Sequence, residues 1–351
     1  AIAAIEEKFY DLIIMDAEPC DWPLTRVVGG FRSGSSMSSE SDESLPTYRL
    51  PLGFLAFFEA HRSAGQPLAL VAVTRTEGSS YSKAGHLVLV DLEGRFAGLV
   101  SGGCLESDLV QRAAAVIEGN EPALVTYDLR DDDDVFGLGV GCDGVIHLLI
   151  EPMEPTNGYK PLAAVVDQLD GSACAELALP ASDGGNDVPV QIRLFRPASI
   201  LVLGAGPDAP PLLQMIDALG WAGTVNDHRQ HFIDTLGQPE SIIVQCSPAE
   251  DIARHTNLAQ FDAAVVMSHS LEADRKYLEA LARSDLGFIG LLGPLHRRKR
   301  LLDDLGEETA CLLDGRLRAP VGKRIGGRGP AAIALEIAAE LQEYVCLLES
   351  A

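Results

Sequence analysis

The sequence predicts an α/β protein in two parts, a mixed α/β N-terminal domain followed by a doubly wound parallel-sheet domain. Three observations predict it. Short apolar runs bounded by Gly and Pro alternate with helical patterns through residues 51–153. From Ala198 the alternation becomes regular, strand then helix, as in a parallel sheet. Leu203-Gly204-Ala205-Gly206-Pro207-Asp208-Ala209 then places G-x-G-x-x-A between a strand and a helix, the turn of a Rossmann-like domain.

Composition narrows the function classes. The 351 residues are 47% hydrophobic and 22% charged, so wholesale disorder is excluded and the length suits two domains. With 51 acidic and 27 basic side chains the net charge is −24. Nucleic acid and anionic membrane surfaces both need a basic footprint, so neither is an expected partner. No apolar run reaches the length of a membrane span. Glu6, Glu7, Asp11 and Asp16 stand where a signal peptide would carry its basic region. Cys20, Cys104, Cys142, Cys174, Cys246, Cys311 and Cys346 are odd in number, and none forms C-x-x-C. That pattern speaks against a disulfide framework or a zinc site, and for a reducing, cytoplasmic setting with most cysteines as small buried hydrophobes.

The elements follow in order. Residues 1–50 read as an N-terminal extension, with a Gly- and Ser-rich linker over 29–47. A helical pattern starts at Leu52 and stops at Gly65-Gln66-Pro67. Strands are predicted at Pro67–Thr74, Gly85–Asp91 and Phe96–Val100, with turns at Gly78-Ser79-Ser80 and Glu93-Gly94. A helix is predicted over Leu105–Glu118, then strands over Ala123–Tyr127 and Val145–Ile150. Residues 154–197 read as a connector with one helix, Leu162–Leu169, and strand pieces near Val188–Phe195. In the last domain, 198–351, strands are predicted at Ile200–Leu203, Gly223–Asn226, Ser241–Val244, Ala263–Met267 and Gly287–Ile289. A final amphipathic helix runs from about Ala331 to Leu348.

Several segments carry chemistry. In Ser101-Gly102-Gly103-Cys104-Leu105-Glu106 a strand ends, two glycines turn the chain and a helix starts. The helix end favours a thiolate at Cys104, the glycines let a ligand approach, and Glu106 is placed to accept from Gly103 N–H. A buried Cys under a plain helix start remains open. Gly137-Leu138-Gly139-Val140-Gly141-Cys142-Asp143-Gly144 is a second glycine-wrapped cysteine, and the two thiols suit a soft metal, sulfur transfer or a labile disulfide. The preceding Asp128–Asp134 run reads as a solvated acidic turn.

In the second domain, Asp227 stands about where a ribose-binding acid belongs after Gly204 and Gly206. Pro207, Pro210 and Pro211 remove N–H donors from the first helical turn, and Asp208 puts a carboxylate where pyrophosphate would sit. His269 follows a predicted strand at the carboxyl-end crevice, with Asp274 placed to cap or orient it. Residues 293–328 hold Arg297, Arg298, Lys299, Arg300, Arg316, Arg318, Lys323, Arg324 and Arg328, a locally positive stretch in an acidic chain.

With these motifs in place, residues 51–348 resemble the xanthine dehydrogenase accessory factor family, XdhC/CoxI. The resemblance is carried by Gly78-Ser79-Ser80-Tyr81 with Lys83 and Gly85, by the Cys104 and Cys142 motifs, and by Glu151-Pro152. It continues with Gly204-Ala205-Gly206-Pro207, Asp227-His228-Arg229, Met267-Ser268-His269, Ile289–Pro294 with Arg297, and Ala319-Pro320-Val321-Gly322. Ser82, Ala84 and Lys323-Arg324 depart from the family's usual residues. The resemblance implies a chaperone that binds molybdenum cofactor (molybdopterin), promotes its sulfuration and inserts it into a xanthine dehydrogenase or aldehyde oxidase. It implies a molybdenum hydroxylase apoenzyme and a cysteine desulfurase or sulfurtransferase as partners, with a homodimer as a further arrangement. The cofactor-binding residues it implies are Ser79, Ser80, Gly102, Gly103, Cys104, Glu106, Gly141, Cys142, Gly204, Gly206, Asp227, His269 and Arg297, with Cys104 as the molybdenum contact. No catalytic set is expected, and an accessory factor without turnover is favoured. The competing reading is an NAD(P)-dependent oxidoreductase built on the Gly204 turn, with His269 as acid or base; the prolines and Asp208 count against it.

Overall fold

Burial on both faces explains why Leu68–Val73 is apolar without alternation. This run belongs to Leu68–Gly78 (β2), the middle strand of an antiparallel sheet that also contains Leu87–Val90 (β3), Phe96–Ala97 (β4), Ala123–Asp128 (β5) and Gly144–Met153 (β6). The strand order is β4-β3-β2-β6-β5, with a bulge in β2 between Val73 and Arg75 where it pairs with β6. Ala69, Val71 and Val73 pack under the helix Glu106–Gly119 (α2). Leu68, Leu70 and Ala72 face the other way, onto Leu52–Ala64 (α1), Leu162–Leu169 (α3) and a second sheet. That sheet is Thr47–Arg49 (β1), Val190–Phe195 (β8) and Cys174–Leu179 (β7), in the order β1-β8-β7. Residues 154–197, expected to be a connector, therefore build a layer of the core. α1 buries Phe54, Phe58 and His61 and stops at Gly65, whose φ of +65° only glycine adopts freely.

The remaining strands are all parallel: Ser199–Leu203 (β9), Ala222–Asn226 (β10), Ile243–Gln245 (β11), Ala263–Val266 (β12), Phe288–Leu291 (β13) and Leu317–Arg318 (β14). Their order is β11-β10-β9-β12-β13-β14, the doubly wound arrangement with its switch point between β9 and β12. On β9, Ile200 and Val202 meet Ala209–Ala218 (α4) and Pro330–Ser350 (α9), while Leu201 and Leu203 meet Leu271–Ala282 (α7) and Leu295–Leu313 (α8). The short helices Gln230–Asp234 (α5) and Ile252–His255 (α6) follow β10 and β11. Because the strands are parallel, the loops after β9, β10, β12, β13 and β14 all leave the same edge.

This computed structural model describes residues 45–103, 105–130, 144–180 and 189–350, which lie in one contact unit, Ser44–Ala351. The 29–47 linker expectation lies almost wholly outside them. The α/β class and the Rossmann-like sheet are as the sequence predicts. Phe96–Val100 shortens to β4 because Gly98, at φ +102°, packs against Leu87 O and turns the chain away. β14 was not foreseen; it is two residues long inside the basic stretch.

The expectation of buried cysteines fails among the described residues. Cys246, Cys311 and Cys346 are exposed and Cys174 is partly so. Cys246 follows edge strand β11 rather than lying in a strand, and the other two exposed cysteines sit on outer faces of α8 and α9. No helix among the described residues is long and apolar enough to cross a membrane.

Candidate functional site

Two groups of residues emerge, one on each larger sheet. In the first, the chain leaves β2 through Ser79–Ser82. Ser80 Oγ donates to Ser82 O at 2.7 Å, and the buried Ser82 Oγ donates to Val100 O at 2.7 Å and to Leu99 O at 3.2 Å. On the other side, Gly144 opens β6 against the same loop. A Cβ there would lie 2.5 Å from Ser79 O and 2.7 Å from Glu77 O, so only glycine lets the strand begin at this place. The Ser79–Ser82 loop thus touches the backbone entering the Cys104 motif and the residue leaving the Cys142 motif.

Ser101 Oγ is the hub of the turn that follows. It donates to Glu106 Oε2 at 2.6 Å and accepts from Leu105 N–H at 3.1 Å and Gly103 N–H at 3.3 Å. Ser101 N–H donates to Glu106 Oε1 at 2.9 Å, and Leu105 N–H also reaches Oε2 at 3.2 Å. The Gly103 N–H therefore goes to Ser101 and not to Glu106 as expected. The reason is position: Glu106 is the first residue of α2, whereas a capping box needs its acid at the third. Both Ser101 and Glu106 are buried. Gly102 and Gly103 are exposed with open space beside them, and Gly103 holds φ +108°. The turn is closed inside by a carboxylate and open outside to a ligand.

The second group lines the carboxyl edge of the parallel sheet. Gly204 holds φ +126°, and a Cβ would lie 2.6 Å from Met267 C and O and from Ser268 Cα. The next amide, Ala205 N–H, donates to Asp227 Oδ2 at 2.8 Å. Arg229 grips the same carboxylate, Nε to Oδ1 at 2.9 Å and Nη2 to Oδ2 at 2.7 Å, and reaches Ser268 O at 3.0 Å. Burial alone would raise the Asp227 carboxyl, but Arg229 and the Ala205 and Arg229 amides outweigh it and hold it below the usual range. Ser268 Oγ donates to Asp274, whose other oxygen accepts from Arg297 Nε at 3.1 Å. His269 stands at φ +61°, with Nε2 2.9 Å from Asp208 Oδ2. Its ring edge lies 3.2 Å from where a Gly206 Cβ would be. Asp208, and not Asp274, is the partner of His269.

Of the predicted residues, Ser79, Ser80, Gly102, Gly103 and Glu106 come together in the first group. Gly204, Gly206, Asp227, His269 and Arg297 come together in the second, where Asp227 and Arg297 are engaged by the protein itself. Cys104, Gly141 and Cys142 lie outside the described residues. Ser82, Ser101 and Arg229 were not among the predicted site residues, although Ser101 and Arg229 lie in motifs that carry the resemblance and Ser82 is one of the departures from it. Among the described residues no three His, Cys, Asp or Glu side chains cluster as metal ligands.

Residues 200–341 match the XdhC Rossmann domain, and residues 61–128 match the XdhC and CoxI family. Over 309 residues the chain is 29% identical to a Bacillus subtilis (strain 168) protein named as a probable xanthine dehydrogenase subunit, covering 78% of this chain and 91% of that one. It is 23% identical over 296 residues to the molybdenum cofactor insertion chaperone PaoD of Escherichia coli (strain K12), covering 79% and 83%. A crystal structure titled as a xanthine dehydrogenase from Bacillus halodurans superposes with a TM-score of 0.71 at 27% identity, covering 84% of this chain and 96% of that chain. Two family models that together span more than half of the sequence, and a solved relative that follows the fold through both larger sheets, place the chain in the XdhC and CoxI family.

Proposed function

We propose that this protein is a maturation chaperone that holds molybdenum cofactor as cargo, assists its sulfuration and hands it to the apoenzyme of a molybdenum hydroxylase. The observation that carries the reading is the Ser79–Ser82 loop, packed between the approaches to the Cys104 and Cys142 motifs. The exposed Ser79 and Gly102 offer a hydroxyl and an amide that suit the polar edge and phosphate of a pterin. Cys104 and Cys142, from the two motifs that meet at this loop, are proposed as the thiols facing molybdenum or its sulfur. The PaoD relative, named as a molybdenum cofactor insertion chaperone, supports the cargo, and the relatives named for xanthine dehydrogenase support the client. A sulfurtransferase partner and a cytoplasmic location belong to the same proposal.

The oxidoreductase reading is disfavoured by the Ala205 amide on Asp227, by Pro207 in the glycine turn and by Pro210 and Pro211 in the first turn of α4. The decisive experiment is anaerobic co-expression with the molybdenum cofactor pathway, then assay of the purified protein for molybdenum and pterin. Stoichiometric pterin is expected; none, with a functional pathway present, would overturn the proposal.

A further inference from the structure

The turn after β9 has the sequence of a phosphate cradle, yet its first two amides, Gly204 and Ala205, already donate within the chain. Ala205 N–H donates to Asp227, three prolines lack N–H, and the His269–Asp208 pair lies across Gly206. Arg229 and Arg297, the arginines of this crevice, are clamped by Asp227 and Asp274.

Cations without acids lie along the same edge, toward β13 and β14. Among the described residues most Lys and Arg side chains pair with a carboxylate. Outside residues 298–328 the exceptions among the described residues are Lys83 and Lys160. Within that stretch Arg298, Lys299, Arg316, Arg318, Arg324 and Arg328 have no acid partner, although the chain carries a net charge of −24; of these Arg316 is held by the backbone carbonyls of Ala282, Ser284, Leu286 and Leu312. Arg298 Nε is also buried and makes no hydrogen bond.

Arg298 and Lys299 stand near the start of α8, which follows the loop after β13, Arg318 ends β14, and Arg324 and Arg328 lie in the loop after β14. Val321 N–H donates to Leu291 O at 3.1 Å, so the loops after β13 and β14 leave the sheet side by side. The second loop is fixed at its base by α9. Gly322 N–H donates to Glu340 at 2.6 Å, and Ile325 and Gly326 N–H donate to Glu336 at 3.2 and 2.9 Å. Arg324 and Arg328 remain exposed, and Gly326 and Gly329 have open space beside their backbone.

We propose that Arg298, Arg324 and Arg328 form an anion subsite for a phosphate group at the carboxyl ends of β13 and β14, displaced from the glycine turn that usually serves that purpose in such a sheet. Guanidinium forks match phosphate oxygens, and this edge is where doubly wound sheets receive ligands. The subsite itself is independent of the chaperone reading; only its assignment to the phosphate of molybdenum cofactor rests on that reading.

The test is calorimetric titration of the full chain with inorganic phosphate in a low-salt, phosphate-free buffer, with polyglutamate as a second probe. One phosphate per chain is expected, weakened by added salt. Arg324→Gln with Arg328→Gln should weaken it at least about tenfold, and the corresponding Lys pair should recover part of the loss. Lys160→Gln, an unpaired cation outside the stretch, should leave it within about twofold. Matched melting temperatures exclude unfolding. No binding by the parent, or equal binding by the Gln pair, overturns the subsite, and so does polyglutamate binding more tightly than phosphate, which would mark a surface for an acidic protein. Pterin retention is read separately. Phosphate binding without pterin retention would sink the chaperone reading and leave the subsite standing; pterin retention with unaltered phosphate binding in the Gln pair would do the reverse.

Discussion

Each oxygen of Asp227 accepts two hydrogen bonds from within the chain, from Ala205 and from the backbone and guanidinium of Arg229. Burial pushes this carboxyl up, and the Arg229 and amide contacts bring it below its ordinary value. The folded state therefore binds fewer protons than the unfolded chain near the ordinary carboxyl value of about 4. This contribution to stability is complete above that value and is lost as pH falls through the lowered one. Asp227→Asn should flatten the fall of melting temperature with pH below about 5, measured by calorimetry. An unchanged slope would mean the contacts do not favour the ionised form. Glu106→Ala should cost about 1–3 kcal/mol in urea unfolding, because the Ser101 N–H and hydroxyl both lose the carboxylate to which they donate. Cys104→Ser should spare stability and reduce co-purified pterin; equal pterin in parent and variant would remove the thiol from the proposed site.

At the scale of elements, the two glycine turns differ in a way substitution can read. Gly204 is required by conformation and by contact with Met267 and Ser268, so Gly204→Ala should destabilise the fold by several kcal/mol, of the order seen for strained or overpacked positions. Gly102 has open space beside it and no left-handed φ. Gly102→Ala should therefore leave the melting temperature nearly unchanged while lowering pterin retention; a large stability loss would show that the turn is packed. Strands such as β9 and β12 were legible because burial on both faces makes them continuous apolar runs. Helix α3 was legible down to its ends for the opposite reason, a clear stripe between turn residues. β1 and β14 were not, since strands of two or three residues carry too little pattern to separate from loop. In the sites, the sequence indicated Glu106 and His269 as important but gave them Gly103 N–H and Asp274 as partners, where the structure has Ser101 and Asp208. Hydrogen-bond pairing depends on where a helix begins to within one or two residues, and spacing alone does not resolve that.

For the whole molecule, the parallel sheet has the strand order of a dinucleotide fold while its glycine turn is closed by Asp227 and covered by the His269–Asp208 pair. Titration with NADH or NADPH should leave the fluorescence of the buried Trp221 unchanged, apart from inner-filter effects. Saturable quenching at micromolar cofactor would show that the turn opens. The charge distribution follows the same division. Arginines beside the glycine turn are neutralised in place, and the unpaired cations gather where β13 and β14 end.

Strand β2 is buried on both faces through Val73, is hydrogen-bonded to β3 on one side and β6 on the other, and ends one residue before Ser79. Amide protons of Ala69–Val73 should consequently be among the last to exchange with deuterium, and those of the exposed Ser79 and Gly102 among the first. Cargo held at that loop should slow exchange there by ordering it, with no change in the strand behind. The loop would then act as a compliant grip on a rigid post, able to open for delivery without loosening the domain that carries it.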